Sequence, residues 1–157
     1  GYCADAAATF IVGTTDERTA RLVEATRRTL GIAIDEIRPG RPWSAVAGRM
    51  QQYVEEQGFS VIREFVGHGI GKEMHEDPKV PNYVDRGVVN RDFMLEEGLV
   101  LAVEPMVAAG SAAVTVLKDG WTVVMKDRRA AAHFEHTLAV TAEGARILTA
   151  RGEGQVT

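Results

Sequence analysis

The sequence predicts an α+β domain with a largely antiparallel sheet. Three observations carry this prediction. Two stretches with a helical hydrophobic period fill most of the chain before Gly58. From Phe59 onward the period switches to two. An Asp119-Gly120 pair between two β-branched runs signals a hairpin, which makes antiparallel neighbours.

Each element follows in order. "AAATFIVG" (residues 6–13) is short, apolar and partly β-branched, and it reads as a strand. A helix follows from Thr15 or Asp16 as N-cap, with acids in its first turn. Leu22, Val23, Thr26, Leu30, Ala33, Ile34 and Ile37 form its apolar stripe. "RPGRPW" is a turn, after which Ser44 can cap a second helix. That helix sets Val46, Ala47, Met50, Tyr53 and Val54 on one side and stops at Gly58. "FSVIREF" reads as a strand leading into a glycine-rich loop with His68 and His75. Residues 79–98 read as a long polar connection, and "LVLAVEPMV" (99–107) as a buried strand. Two strands then flank Asp119-Gly120, "HFEHTLAVT" (133–141) is a further strand, and a short turn and strand end the pattern. No internal repeat, low-complexity tract or linker interrupts it.

Composition narrows the function. A chain of 157 residues suits one domain with one sizeable core. With 45% hydrophobic and 25% charged residues it is globular rather than disordered. A net charge of -4 argues against direct nucleic-acid binding, which needs a basic surface. No apolar run is long enough to cross a bilayer. The single cysteine, Cys3, cannot close an internal disulfide, which fits a reducing compartment. The opening residues lack the basic and apolar regions of a signal peptide, and the chain starts on Gly1 as if inside a domain.

Several acids stand where acids are costly. Alternation puts Val100, Ala102, Glu104 and Met106 on one strand face, and Leu101, Val103 and Pro105 on the other. Both faces are apolar, so Glu104 is expected to be buried, and a buried carboxylate needs a partner or a metal. Glu135 repeats the anomaly at the start of an apolar strand, and Asp5 precedes another. Singly, each has an ordinary explanation. An acid near a strand end is usually solvated or ion-paired. A histidine among glycines is more often structural, and Trp121 after a turn is more often a packing residue. Together, His68 and the three acids make an oxygen-rich set with one nitrogen, suited to Mn2+, Fe2+, Co2+ or Zn2+. Carboxylates shared by two such ions are a hydrolase arrangement.

Taken in order, "GYCAD", "GHGIG" with "MHEDP", "AVEPMV", "KDGWTV" and "FEHTLAVT" resemble the type I, bacterial methionine aminopeptidases of the M24 metallopeptidases. The resemblance runs from Gly1 to about Thr149. It implies the pita-bread fold, in which two similar halves enclose a two-metal site. This chain would be the C-terminal half: a curved, mostly antiparallel sheet with two outer helices. Residues 1–157 would form a single partial catalytic domain. The metal ligands implied are Asp5, His68, Glu104 and Glu135. Asp5 and Glu135 would bridge both ions, and His68 and Glu104 would hold the tighter one. His75 would contact the scissile carbonyl, and Glu104 would carry the proton. Met74, at a position often aromatic in the family, and Trp121 would border the pocket for the methionine side chain, with His75 beside them. The cofactor implied is Co2+, Mn2+, Fe2+ or Zn2+. The substrates implied are N-terminal methionine peptides of nascent proteins, with the ribosome as a neighbour, in the cytoplasm and away from any membrane.

The resemblance also implies departures. The family's first aspartate ligand has no counterpart, because only four residues precede Asp5. A second substrate-contacting histidine is missing with it. The looser metal position would keep only its bridging acids, leaving one fully ligated ion. An exposed sheet face would promote association. The expectation is therefore low or no activity for this chain alone. It would be a fragment of a longer gene, or completed by a separate N-terminal chain, or paired with itself. Two other functions share the pattern. Xaa-Pro aminopeptidases and prolidases carry a similar histidine loop and acid strands, although "EHT" and "KDGWTV" favour the methionine enzyme. A non-catalytic binding domain of the same fold would be expected to have lost ligands that are intact here.

Overall fold

The computed structural model describes residues 1–150. After β1 (Ala6–Ala7) come two helices, α1 (Glu17–Glu36) and α2 (Trp43–Glu56). Then follow β2 (Ser60–Val61), β3 (Gly67–Gly69), β4 (Glu76–Val80) and the short α3 (Arg86–Val89). The remainder is strand: β5 (Val100–Val103), β6 (Met106–Ala108), β7 (Val114–Val116), β8 (Val123–Met125), β9 (Ala131–His133), β10 (Glu135–Thr141) and β11 (Gly144–Ile147). The main sheet runs β1-β10-β5-β3-β4, with β11 also on β10; a smaller sheet runs β2-β6-β9, and β7 pairs with β8. Every one of these pairings is antiparallel. The α+β class with an antiparallel sheet is thus what the molecule has.

Both helices cover the same side of the strands. Leu30 and Ala33 of α1 and Ile37 just after it, with Trp43, Val46 and Met50 of α2, pack on Leu101, Val103, Leu138 and Val140. Nearer the small sheet, Leu22, Ala25 and Val54 meet Phe59, Val61 and Val107. Because side chains alternate, Leu101, Val103, Leu138 and Val140 face the helices while Ala102, Glu135 and Thr137 face away. His68, Ala102 and Thr137 sit in register across β3, β5 and β10. The helices therefore build the core on one face and leave the other to polar side chains, with small Ala102 giving them room.

Local chemistry explains the helix ends. Asp16 caps α1 by accepting from the Thr19 N–H at 3.0 Å. Gly58 ends α2 at φ 75°, in the left-handed region that favours glycine. The expected Ser44 cap does not form. The helix starts at Trp43, and Asp92 reaches over to accept from the Ser44 N–H at 2.9 Å.

The strands are shorter and more divided than the pattern predicts. Only Ala6 and Ala7 of residues 6–13 are strand, because only they pair with β10, and Phe10 and Val12 lie exposed beyond them. "FSVIREF" keeps only Ser60–Val61. The stretch 99–107 breaks at Glu104-Pro105. Pro105 has no N–H for a ladder, so β5 joins the main sheet and β6 the small one. Residues 133–141 also divide, at Phe134, with β9 in the small sheet and β10 in the main one. The glycine-rich loop is instead the buried β3, paired on both edges. The 79–98 connection contains the end of β4 and all of α3. The hairpin loop spans residues 117–122 rather than two residues: Leu117 N–H bonds Thr122 O, and the Asp119 carboxylate binds Trp121 and Thr122 inside it.

Candidate metal centre

Glycine makes the site possible at β3. A Cβ on Gly67 would stand 2.2 Å from the Ala102 carbonyl oxygen, and one on Gly69 2.2 Å from that of Asp77. Backbone this close on both edges admits no side chain, so His68 alone projects from β3. It is 8% exposed. Its Nδ1 lies 2.8 Å from the Gly69 carbonyl oxygen. A carbonyl only accepts, so Nδ1 carries the proton and Nε2 presents a lone pair.

That lone pair faces Glu104, which follows β5 at the Pro105 break. His68 Nε2 is 3.6 Å from Glu104 Oε1. On the other side, His133 Nε2 is 3.6 Å from Glu104 Oε2. Glu135 opens β10 beside them and is 4% exposed. Asp5 is held by its backbone: Thr137 Oγ1 accepts from the Asp5 N–H at 2.9 Å and donates to the Asp5 carbonyl oxygen at 2.8 Å. The donor atoms of Asp5, His68 and Glu135 lie within 4.8 Å of one another, as do those of Glu104, His133 and Glu135.

The cluster is electrostatically unfinished. Burial, then the charges of Glu135 and Asp5, push the Glu104 carboxyl up to about 8. Burial, then Asp5, pushes Glu135 up to about 7. Burial lowers the pKa of His133 against the pull of Asp5. Burial favours the neutral form of both Glu104 and His133, so their contact is not an ion pair. Glu135 Oε1 and His133 Nε2 are buried without any hydrogen-bond partner, a state that buried polar atoms rarely keep. A divalent cation among these oxygens and nitrogens would satisfy the orphaned atoms and offset the carboxylate repulsion. The donor set fits the implied metal.

The structure brings Asp5, His68, Glu104 and Glu135 together. His75 is near them, its ring 4.3 Å from that of His68 between centroids and tilted by 55°. Met74 and Trp121 are 42% and 87% exposed, and neither lines either of two cavities found in the described residues. One cavity, of about 340 Å³, adjoins the cluster at His133 and is otherwise mainly apolar, with Ile62, Phe65, Met106 and Met125 on its walls. The other, of about 510 Å³, lies away from the cluster between Trp43, Lys79 and Phe93. His133 is absent from the sequence-based set. Its signal was present: it stands two residues before Glu135, on the same side by alternation.

The chain matches known proteins over nearly its whole length. The pattern of metallopeptidase family M24 matches residues 1–142. Methionine aminopeptidase 1 of Bacillus subtilis (strain 168) is 46% identical over 149 residues, 95% of this chain and 59% of that protein. The crystal structure of methionine aminopeptidase from Thermotoga maritima superposes with a TM-score of 0.90 at 49% identity, over 96% of this chain and 59% of that one. Prolidase from Pyrococcus furiosus, at 22% identity and a TM-score of 0.71, shares the fold. The chain thus spans 59% of the length of each of these two methionine aminopeptidases. The family pattern covers the strands that carry all five converging donors, and on that ground the chain belongs to metallopeptidase family M24.

Proposed function

We propose that this chain supplies the metal-binding centre of an aminopeptidase that removes methionine from the N-terminus of nascent proteins. The carrying observation is the convergence of Asp5, His68, Glu104 and Glu135 from separate strands into a buried carboxylate cluster with orphaned donor atoms. The names of the relatives support the methionine substrate. The four side chains would hold a divalent cation, Co2+, Mn2+, Fe2+ or Zn2+. A bound divalent cation supplies Lewis acidity to the scissile carbonyl and to the attacking water. Glu104 takes the proton from that water and returns it to the leaving amine. His75, against the His68 ring, donates to the carbonyl oxygen. Met74 and Trp121 border the substrate's methionine side chain. A substrate of this kind places the reaction in the cytoplasm, close to the ribosome.

Because the relatives are longer, hydrolysis by these 157 residues alone is expected to be slow, so metal binding is the first test. Calorimetry with Mn2+ or Co2+ should show a tight site, weakened at least about tenfold by His68→Ala or Glu104→Ala. His75→Ala should leave that affinity unchanged. No binding by the unaltered chain would sink the proposal and favour a binding domain without metal. The shared fold with prolidase gives the second reading its basis. Faster cleavage of an Xaa-Pro dipeptide than of Met-Ala-Ser by the metal-loaded chain would favour it.

A further inference from the structure

We propose that His133 is a metal ligand, and that with Glu104 and Glu135 it builds a second cation position on the far side of the Glu104 carboxylate from His68. This rests on the metal-binding reading above.

The geometry is nearly symmetric about Glu104. Oε1 faces His68 Nε2 and Oε2 faces His133 Nε2, each at 3.6 Å. That is too long for a hydrogen bond. It matches two donors on one ion, since bonds of about 2.0–2.2 Å at roughly tetrahedral angles set donors about 3.4 Å apart. The two sides also draw on different partners. Asp5, His68 and Glu135 form one group and Glu104, His133 and Glu135 the other, with Glu135 common to both. Both unpartnered atoms of the cluster, His133 Nε2 and Glu135 Oε1, belong to the second group. Glu135 is 96% removed from solvent by its 4% exposure, so its free oxygen has no water surface to turn to.

His133 is also held as a ligand needs to be. Its backbone N–H donates to Thr9 Oγ1 at 2.9 Å, and Thr9 Oγ1 donates to the His133 carbonyl oxygen at 2.9 Å. Pairing with Met106 fixes it from the other edge. The strand position is therefore set before any ion arrives, and the nitrogen donor comes from the small sheet while His68 comes from the main one. Glu104, at the point where β5 passes into β6, spans the two.

The test uses the 157-residue chain, stripped of metal and titrated with Co2+ and with 113Cd2+. Equilibrium dialysis should find two ions per chain, the weaker lost or reduced at least tenfold in His133→Ala. The affinity of the tighter ion should stay within about twofold, while His68→Ala should weaken that one. Binding of 113Cd2+ to chain labelled with 15N-histidine should couple two cadmium signals to two different imidazoles. His133→Gln keeps the side-chain bulk and should lose the same signal, which separates ligation from packing. Two ions bound with unchanged affinities in both His133 variants, or a cadmium spectrum coupled to His68 alone, would overturn the proposal while leaving the metal centre standing. No binding by the unaltered chain would overturn both readings.

Discussion

At the scale of single residues, the buried carboxylates make the metal-free chain sensitive to pH in an unusual direction. Glu104 and Glu135 have folded-state values raised to about 8 and about 7 from a reference of 4.5. Between those limits the folded chain binds more protons than the unfolded one, so stability falls as pH rises. The metal-free chain is expected to melt lower at pH 8 than at pH 5.5, measured by circular dichroism with chelator present. Glu104→Gln removes the charge and should flatten that slope. At pH 8 it should stabilise the metal-free chain by about 1–3 kcal/mol, while weakening the cation site. A steeper slope in the variant would count against the burial argument. The acids could be read in the sequence because a carboxylate in an apolar run is locally anomalous. His133 was signalled only by standing two residues before Glu135, and its significance appears only in the fold, where Glu104 reaches it across a strand break. Met74 and Trp121 were named from the motif resemblance alone, and both lie exposed on this chain.

At the scale of elements, local signals and pairing separate cleanly. The helices were legible because their period, the Asp16 cap and the Gly58 stop all act within a few residues. The strands were legible as a class but not in their limits, because which residues pair is decided far along the chain. Pro105 was visible in the sequence, yet its effect, sending β5 and β6 to different sheets, was not. β3 was hidden altogether, since glycine is a poor strand former and its use here is close backbone approach. Gly67→Ala or Gly69→Ala drives a methyl into a neighbouring carbonyl at 2.2 Å. Each should cost about 2–4 kcal/mol by thermal or urea unfolding and displace His68, so cation affinity should fall as well. Gly48→Ala in α2 is the contrast. Its new methyl would meet Val84 at an ordinary 3.6 Å, and it should be neutral or stabilising by up to about 1 kcal/mol. Asp16→Ala should cost about 1 kcal/mol and leave cation binding alone. Equal losses in all four variants would mean that the glycines of β3 have no special role.

At the scale of the whole molecule, the cluster draws its donors from both sheets. Its donors come from residues 5, 68, 104, 133 and 135, on or beside β1, β3, β5, β9 and β10. No stretch of sequence contains the site, and unfolding any one of these strands dissolves it. Cation binding is therefore linked to folding of both sheets rather than to one loop. A cation at one hundred times its dissociation constant should add about 2.7 kcal/mol to the stability of the native chain. For a domain of this size that corresponds to a rise in melting temperature of roughly 5–10 °C. The rise should be reversed by chelator, should grow with the logarithm of free cation, and should vanish in the His68→Ala, Glu135→Ala double variant. Magnesium, which prefers oxygen donors and retains its water, should give little of it. If the shift were equally large with magnesium, or survived the double variant, the stabilisation would be arising from surface carboxylates, and the assignment of the buried cluster as the cation site would fail with it.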